Sequence, residues 1–589
     1  MKNFYFCLTY LFVFNSSIAQ LVTHGPITGG VTSSSARFYV RTTQAAEVKM
    51  DLATDTFFTS VISITDSTKD WRDSSNLFNV SGLNSYTTYH YRVFVNGVLD
   101  TIRGSFKTFP ATGVKGNYRW AVLSCQEFGT YNVFNAMYNR MPQLVLHTGD
   151  FTYPDYQIPG DHRMDWSLQQ LSYRKRYREQ NMQKDFLSMA FDYVPDNHDG
   201  AGQRDNITGV SSYIDSLGSV HNDIYTEPVP AGAVQNVFKG YYEYFPHYPP
   251  ADSMIGMYHN YRYGNCEVFF LDARHCGNGE DSTFTFDVAT QQWIFDPKPG
   301  QSLLGDAQFN WLLNGLKSST ADWKFIVSQL MFNKQFRKVI QISLALQNIT
   351  FSLGGTTGTG FRLAHAMANN WCGYPREQDS LLNLLKTENI NDVIVLSGHV
   401  HTNVMDNGSN AGLPELNTGP AAGNGAELTY YIDSVMQLIG QGTAIDSLWN
   451  GGGQGVENTN FKSGFGMVEI FGSDSVQMQI VDEDNLTVSS MTILHSSIAP
   501  SSVGSIKEEA CVIEKIFPNV TNDRVQVKFC ADYQRKNTDR SYLIDLSGRV
   551  LSTAVSAEVF SVKALPAGKY LYVYDYGPEL KTFPFEVVR

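Results

Sequence analysis

The sequence predicts a multidomain chain: an N-terminal β-sandwich, a central α/β domain built in four layers, and a small C-terminal β-sandwich. Three changes of pattern carry this reading. Residues 20–110 are short β-rich runs divided by turn residues, 115–495 alternate apolar strands with polar helical segments, and 511–589 return to short strands and turns. At 589 residues the chain is also too long for one hydrophobic core.

Taken in order, residues 1–19 have Lys2, an apolar run from Phe4 to Phe14, and small residues before a cleavage site after Ala19. That is the pattern of a signal peptide, and its apolar run is too short to anchor in a bilayer. The mature chain is therefore expected to be secreted or held at the outer cell surface. Runs at 36–41, 47–52 and 89–95, with a turn at Asn96-Gly97, predict an antiparallel sandwich of fibronectin type that gathers no reactive groups. Pro110-Ala111-Thr112-Gly113 reads as a linker. Beyond it, helical patterns at 161–184 and 378–386 separate apolar strands, and residues 464–481 add a late strand to the same domain. Residues 496–508 form a second linker.

Composition excludes some functions. A net charge of −13, with acidic residues spread along the chain, argues against a nucleic-acid-binding face. Seven cysteines, one of them in the signal peptide, are too few for a disulfide scaffold. Cys266 with Cys276, and Cys511 with Cys530, are close enough in sequence to form disulfides in an oxidising compartment. Cys125 and Cys372 have no obvious local partner.

The chemistry gathers where strands end, as it does in layered α/β folds. Six apolar runs end in polar groups: Cys125-Gln126, Thr148-Gly149-Asp150-Phe151-Thr152-Tyr153, Asp196-Asn197-His198-Asp199, Asp272-Ala273-Arg274, Gln329, and Gly398-His399-Val400-His401. Gly149 allows a sharp turn that leaves the Asp150 carboxylate free to bridge two cations. Tyr153 can return a phenolate to one of them, which suits a ferric ion. Asn197 offers a neutral amide oxygen, His198 is placed for general acid work, and His399 and His401 can face different metals. Arg274 would neutralise non-bridging phosphate oxygens. Two metals in such a site polarise a phosphate and make hydroxide from water. The reading is a secreted binuclear-metal phosphoesterase acting on mono- or diesters of small molecules.

These same motifs resemble the calcineurin-like metallophosphoesterase signature in its purple acid phosphatase form, and more closely the alkaline phosphatase D family. Ser124-Cys125-Gln126, the run Tyr173 to Arg178, Leu271-Asp272-Ala273-Arg274 and Trp371-Cys372-Gly373-Tyr374-Pro375 fall in that family's order, over about residues 21–481. The resemblance implies an iron (Fe3+) site from Cys125, Asp150, Tyr153 and His401, with Asp150 bridging. It implies a second divalent site, calcium first and zinc or manganese otherwise, from Asp150, Asn197, His399 and Gln329. The sequence departs from the family pattern at Asn197 and Cys372, where the family has Asp.

At the C-terminus, Ile516-Phe517-Pro518-Asn519, the run Leu543 to Val550 and Leu565-Pro566-Ala567-Gly568-Lys569-Tyr570 resemble the sorting domain of the type IX secretion pathway. That resemblance implies secretion machinery as a partner. Two rival readings stand beside the leading one. One is a non-catalytic adhesion protein with a degenerate domain; the other is a phospholipase or nucleotidase of the same fold, its pocket shaped by insertions at 200–220 and 354–360.

Overall fold

The computed structural model describes residues 22–153, 165–199, 210–214, 220–224, 231–277, 283–347, 350–353, 356–423, 448–453 and 462–496. In the C-terminal segment it describes 513–517, 520–521, 523–529, 540–545, 550–555, 559–575 and 580–589. The stretch 1–19 expected to be a signal peptide, the expected second linker beyond Ser496, Cys511, Cys530 and most of 200–220 lie outside the described residues.

Two mixed sheets build the centre. In the nine-stranded sheet, Asn117–Leu123, Leu144–His147, Ala190–Tyr193 and Val22–Gly29 run parallel as neighbours, flanked by antiparallel strands at both edges. In the six-stranded sheet, Cys266–Phe270, Trp323–Val327, Val393–Ser397 and Pro414–Asn417 run parallel. Parallel strands need cover on both faces, and these are continuous runs such as Val393-Ile394-Val395-Leu396, buried throughout. The two sheets pack face to face, Trp120 of one meeting Phe325 of the other edge-on at 4.9 Å.

Helices cover the outer faces. Gly305–Ser318 and Pro375–Thr387 bury Leu312, Leu316, Leu381 and Leu385 against Phe269, Ile326 and Val395 of the second sheet. Val133–Arg140 buries Val133, Phe134, Ala136 and Met137 in the core that holds the first sheet. The order helix, sheet, sheet, helix follows. The helical pattern expected over 161–184 appears as Trp166–Arg176, capped by the Asp165 carboxylate on the Ser167 N–H (2.8 Å), and as Gln183–Ser188.

The N-terminal strands divide between two sheets. The four-stranded sheet (Glu47–Ala53, Ile62–Ser67, Thr88–Val95, Val98–Lys107) packs through Tyr91 and Phe106 onto Phe38. The other strands continue the central nine-stranded sheet, because Gly29 pairs with Phe191. Gly29 permits this: a Cβ there would meet the Pro246 carbonyl at 2.6 Å and that of Phe191 at 2.9 Å. The C-terminal strands form a three-stranded and a five-stranded sheet, with Phe560 of one against Tyr572 of the other at 5.3 Å. Cys266 and Cys276 are free thiols rather than the disulfide their spacing allowed. Among the described residues no helix is long and apolar enough to cross a membrane.

Candidate metal centre

The candidate ligands lie on tight turns at the strand ends, and the turns share one backbone feature. Cys125 (φ 54°), Asp150 (58°), Tyr153 (42°), His399 (73°) and His401 (51°) all occupy the left-handed region. For residues other than glycine each such conformation costs on the order of 1–3 kcal/mol and persists only where the surroundings over-determine it.

Buried hydrogen bonds supply that constraint. The Asp199 carboxylate accepts from the Phe151 N–H (2.9 Å), the Thr152 N–H (2.7 Å) and the Thr152 hydroxyl (2.8 Å) through one oxygen. Its other oxygen accepts from the N–H groups of Asp150 (2.9 Å) and Asp196 (2.8 Å), so one side chain fastens two loops. Buried Arg176 donates to the carbonyls of Phe151 and Gln126, tying the third loop to these. Gly149 (φ 111°) has no room for a side chain, since its Cβ would overlap that of Asp196. Under the histidine turn, Asn417 Nδ2 donates to the Gly398 carbonyl (3.0 Å) and to Ser397 Oγ (2.9 Å), and Ser397 in turn donates to buried Glu415 (2.5 Å).

These turns bring two groups of donor atoms together. Cys125 Sγ, an Asp150 oxygen and a His401 nitrogen lie within 4.8 Å of one another, and so do atoms of Asp150, Asp196 and His399. Asp150 belongs to both. The thiol is 3.5 Å from Asp150 Oδ2, Tyr153 Oη is 3.5 Å from His401 Nε2, and His399 Nδ1 is 3.1 Å from Asp196 Oδ2. The His198 N–H donates to Asp150 Oδ1 at 2.9 Å, while its ring stacks on Tyr153 with centroids 4.6 Å apart.

Electrostatics say what is missing from the protein groups alone. Burial, then the neighbouring Asp196 and Asp199 charges, push the Asp150 carboxyl well above the ordinary range, and His198 opposes them only in part. Burial and Asp150 likewise raise the Cys125 thiol. Asp196 goes the other way: burial resists, but Arg274 and then His399 hold its carboxyl low. Cations at the two groups would favour the ionised Asp150 and Cys125 that the protein by itself disfavours. Thiol, phenol, imidazole and shared carboxylate suit iron, and carboxylate with imidazole suits a divalent ion. The residues fit a pair of metals.

Other expected site residues are placed differently. Asp196 stands in the second donor group, and Asn197 lies beside it, its Oδ1 3.5 Å from the Arg274 Nη2 that is also 3.2 Å from His399 Nδ1. Gln329 is buried with its amide committed to the backbone, accepting from Ala273 N–H (3.1 Å) and donating to the Pro195 carbonyl (3.2 Å). The Arg274 side chain is fully enclosed: Nε pairs with Asp196, Nη1 donates to Asn369 Oδ1 (3.2 Å), and Nη2 lies 3.2 Å from His399 Nδ1. Its ordinary alternative, an ion pair with Asp272, does not form, because Asp272 pairs with His275 at 2.8 Å. Cys372 lies in a core cluster, its Sγ donating to the Met367 carbonyl (3.1 Å) and its thiol pushed up to about 12 by burial. Sequence reasoning passed over Asp196, Asp199 and Arg176. The first two lay inside the quoted Asp196-Asn197-His198-Asp199, and two carboxylates bracketing an Asn-His pair were the available signal.

A sequence model of the PhoD-like phosphatases matches residues 120–428, which hold every donor above. The chain belongs to the PhoD-like phosphatase family. Alkaline phosphatase D of Bacillus subtilis (strain 168) is 25% identical over 384 residues, 62% of this chain and 60% of that protein. The chain thus spans about three fifths of the length of that relative. A solved structure of PhoD covers 82% of this chain and 94% of its own at a TM-score of 0.54 and 19% identity, a likeness of fold. The purple acid phosphatase PPD1 from yellow lupin (Lupinus luteus) seeds covers 80% of this chain and 74% of its own at a TM-score of 0.43 and 12% identity. Membership in the PhoD-like family makes the chain kin to hydrolases that act on phosphate esters.

Proposed function

We propose that this PhoD-like protein is an exported binuclear-metal phosphoesterase that hydrolyses mono- or diesters of small molecules. The observation that carries the reading is the sharing of Asp150 between two donor groups. Cys125, Asp150, Tyr153 and His401 would hold an iron ion, and Asp150, Asn197 and His399, with Asp196 beside them, a divalent ion, calcium before zinc or manganese. When bound, such a pair supplies Lewis acidity toward the phosphate and an activated water.

The chain's own residues do the rest. Asp199 and Arg176 fix the turns that aim the donors. Arg274 neutralises Asp196 and orients His399, so it acts through these groups rather than on the substrate. His198 is half-buried and held against Tyr153, where its ring can give a proton to the leaving oxygen. Export rests on the signal-peptide pattern at 1–19 and the sorting motifs at 511–589.

The test is hydrolysis of p-nitrophenyl phosphate and bis(p-nitrophenyl) phosphate by the parent protein and by His401→Ala. Loss of a ligand should lower kcat/KM by more than about a hundredfold, beyond the range seen when only an outer partner of a ligand is removed. Parent-like turnover in His401→Ala would remove the site from the chemistry.

A further inference from the structure

One buried histidine has no part in the chemistry proposed above. His147 ends the strand Leu144–His147, just before the turn that carries Asp150, and its side chain is fully enclosed. The ordinary role of such a residue is to fill the core, and its ring does meet Phe151 and Tyr193 edge-on, with centroids at 5.1 and 6.0 Å. Packing of that kind asks only for a ring, and phenylalanine costs less to bury than imidazole. Both ring nitrogens, however, are engaged, and each reaches a loop that carries a candidate metal ligand.

The direction of these hydrogen bonds is fixed from the far end. The Glu179 carboxylate, paired with Arg176, can only accept. The Gln126 amide therefore turns its Nε2 to Glu179 (3.4 Å) and to Met182 Sδ (2.8 Å), which leaves its Oε1 facing His147 Nε2 at 3.2 Å. An acceptor at that point places the imidazole proton on Nε2. Nδ1 is then bare, and it accepts from the Gly149 N–H (3.3 Å). Burial first, and Arg176 second, hold the imidazole well below its ordinary range, which keeps this neutral tautomer.

The bonds close on themselves. The Cys125 N–H donates to the Gly149 carbonyl (3.2 Å), and the Gln126 N–H to the Asp150 carbonyl (2.8 Å). The two loops are thus joined through the backbone and again through His147, which makes a closed ring of hydrogen bonds. Cys125 precedes Gln126 and Asp150 follows Gly149, so the ring governs how far the Cys125 thiol stands from the Asp150 carboxylate, 3.5 Å. We infer that His147 is a positioning residue: it sets the spacing of the thiol and the shared carboxylate, and with it the fit of an iron ion between them. The inference rests on the binuclear-metal reading above and adds to it a residue that touches neither metal nor substrate.

The experiment titrates citrate-buffered ferric ion into the metal-stripped full mature protein, for the parent, His147→Phe, Gln126→Met and the double variant. Phenylalanine keeps the edge-on packing and removes both nitrogens. His147→Phe should bind iron about 10–100-fold more weakly, with a weaker thiolate-to-iron absorption band for each iron bound and far-UV dichroism unchanged. Gln126→Met should show the same loss, and the double variant no more than either, because one ring is opened only once. Parent-like affinity or an unaltered band in His147→Phe, or losses that multiply in the double variant, overturn the inference. Should His147→Phe not fold, His147→Gln takes its place with the same outcomes, since its amide can reach Gln126 but offers Gly149 no acceptor. If the parent itself takes up no iron, it is the metal reading that fails. The ring is then judged by hydrogen–deuterium exchange of the peptide holding Gly149 in the metal-free chain. Faster exchange there in His147→Phe, with the Val393–Ser397 peptide unchanged, supports the positioning role; equal exchange in both proteins overturns it.

Discussion

Asp199 supplies no atom to either donor group, yet its carboxylate accepts five hydrogen bonds from the loops that carry Asp150, Tyr153 and Asp196. Asp199→Asn keeps the shape but replaces one accepting oxygen with a donor that faces N–H groups. Metal affinity should fall by about 10–100-fold, read by titrating metal into the stripped protein, with far-UV dichroism unchanged. Undiminished affinity would make Asp199 a packing residue only. This residue also marks where the sequence stops being informative. Cys125, Asp150, Tyr153, His399 and His401 stood out because each lies in the turn that follows an apolar strand. Asp199 did not, because its work is defined by N–H groups 49 residues away in the chain. Asp196 lies in the same short stretch as Asn197, and only the fold shows that its carboxylate meets His399.

At the scale of the element, the strand Val393–Ser397 and the turn after it were legible from pattern alone, but the support beneath them was not. Gly398 is pressed against Thr148 Oγ1, and a Cβ would also meet Ser124 Oγ at 2.6 Å. Gly398→Ala should therefore cost about 1–3 kcal/mol of stability, seen as a lowered Tm, and loosen both histidines; an unchanged Tm would contradict this packing. Glu415 sets a pH dependence for the same element. Burial raises its carboxyl to about 8 in the folded chain, against 4.5 as the ordinary value. Between those limits the unfolded chain has released a proton that the folded chain still holds. Stability conferred by the protonated group is thus complete below about pH 4.5 and is lost as pH rises toward 8. Glu415→Gln removes the titration, so its stability relative to the parent should improve by more than about 1 kcal/mol from pH 5 to pH 9 in denaturant titrations. A constant difference across that range would show that Glu415 is ionised in both states.

For the whole molecule, the alternation of strands and helices was enough to predict a layered central domain, and the layers are there. That the N-terminal strands extend the central sheet could not be read from the sequence, because edge pairing leaves no trace in hydrophobic alternation; it depends on Gly29 reaching Phe191. Removing residues 22–110 should accordingly expose the Ala190–Tyr193 edge and give aggregated protein rather than a free catalytic domain, as judged by size-exclusion chromatography. A soluble, active truncation would refute that continuity. Removing 511–589 should have the opposite character: activity retained, export lost, as measured by phosphatase assay of cell and medium fractions. The proposed chemistry requires Asp150 to be the ligand common to two metals. Its most direct test is metal content per chain by inductively coupled plasma mass spectrometry, for the parent and for Asp150→Asn, alongside hydrolysis of bis(p-nitrophenyl) phosphate. The expected result is one iron and one divalent ion in the parent, with both metals and turnover lost in the variant. A parent that hydrolyses the ester without metal, or a variant that keeps both ions and full turnover, would contradict it.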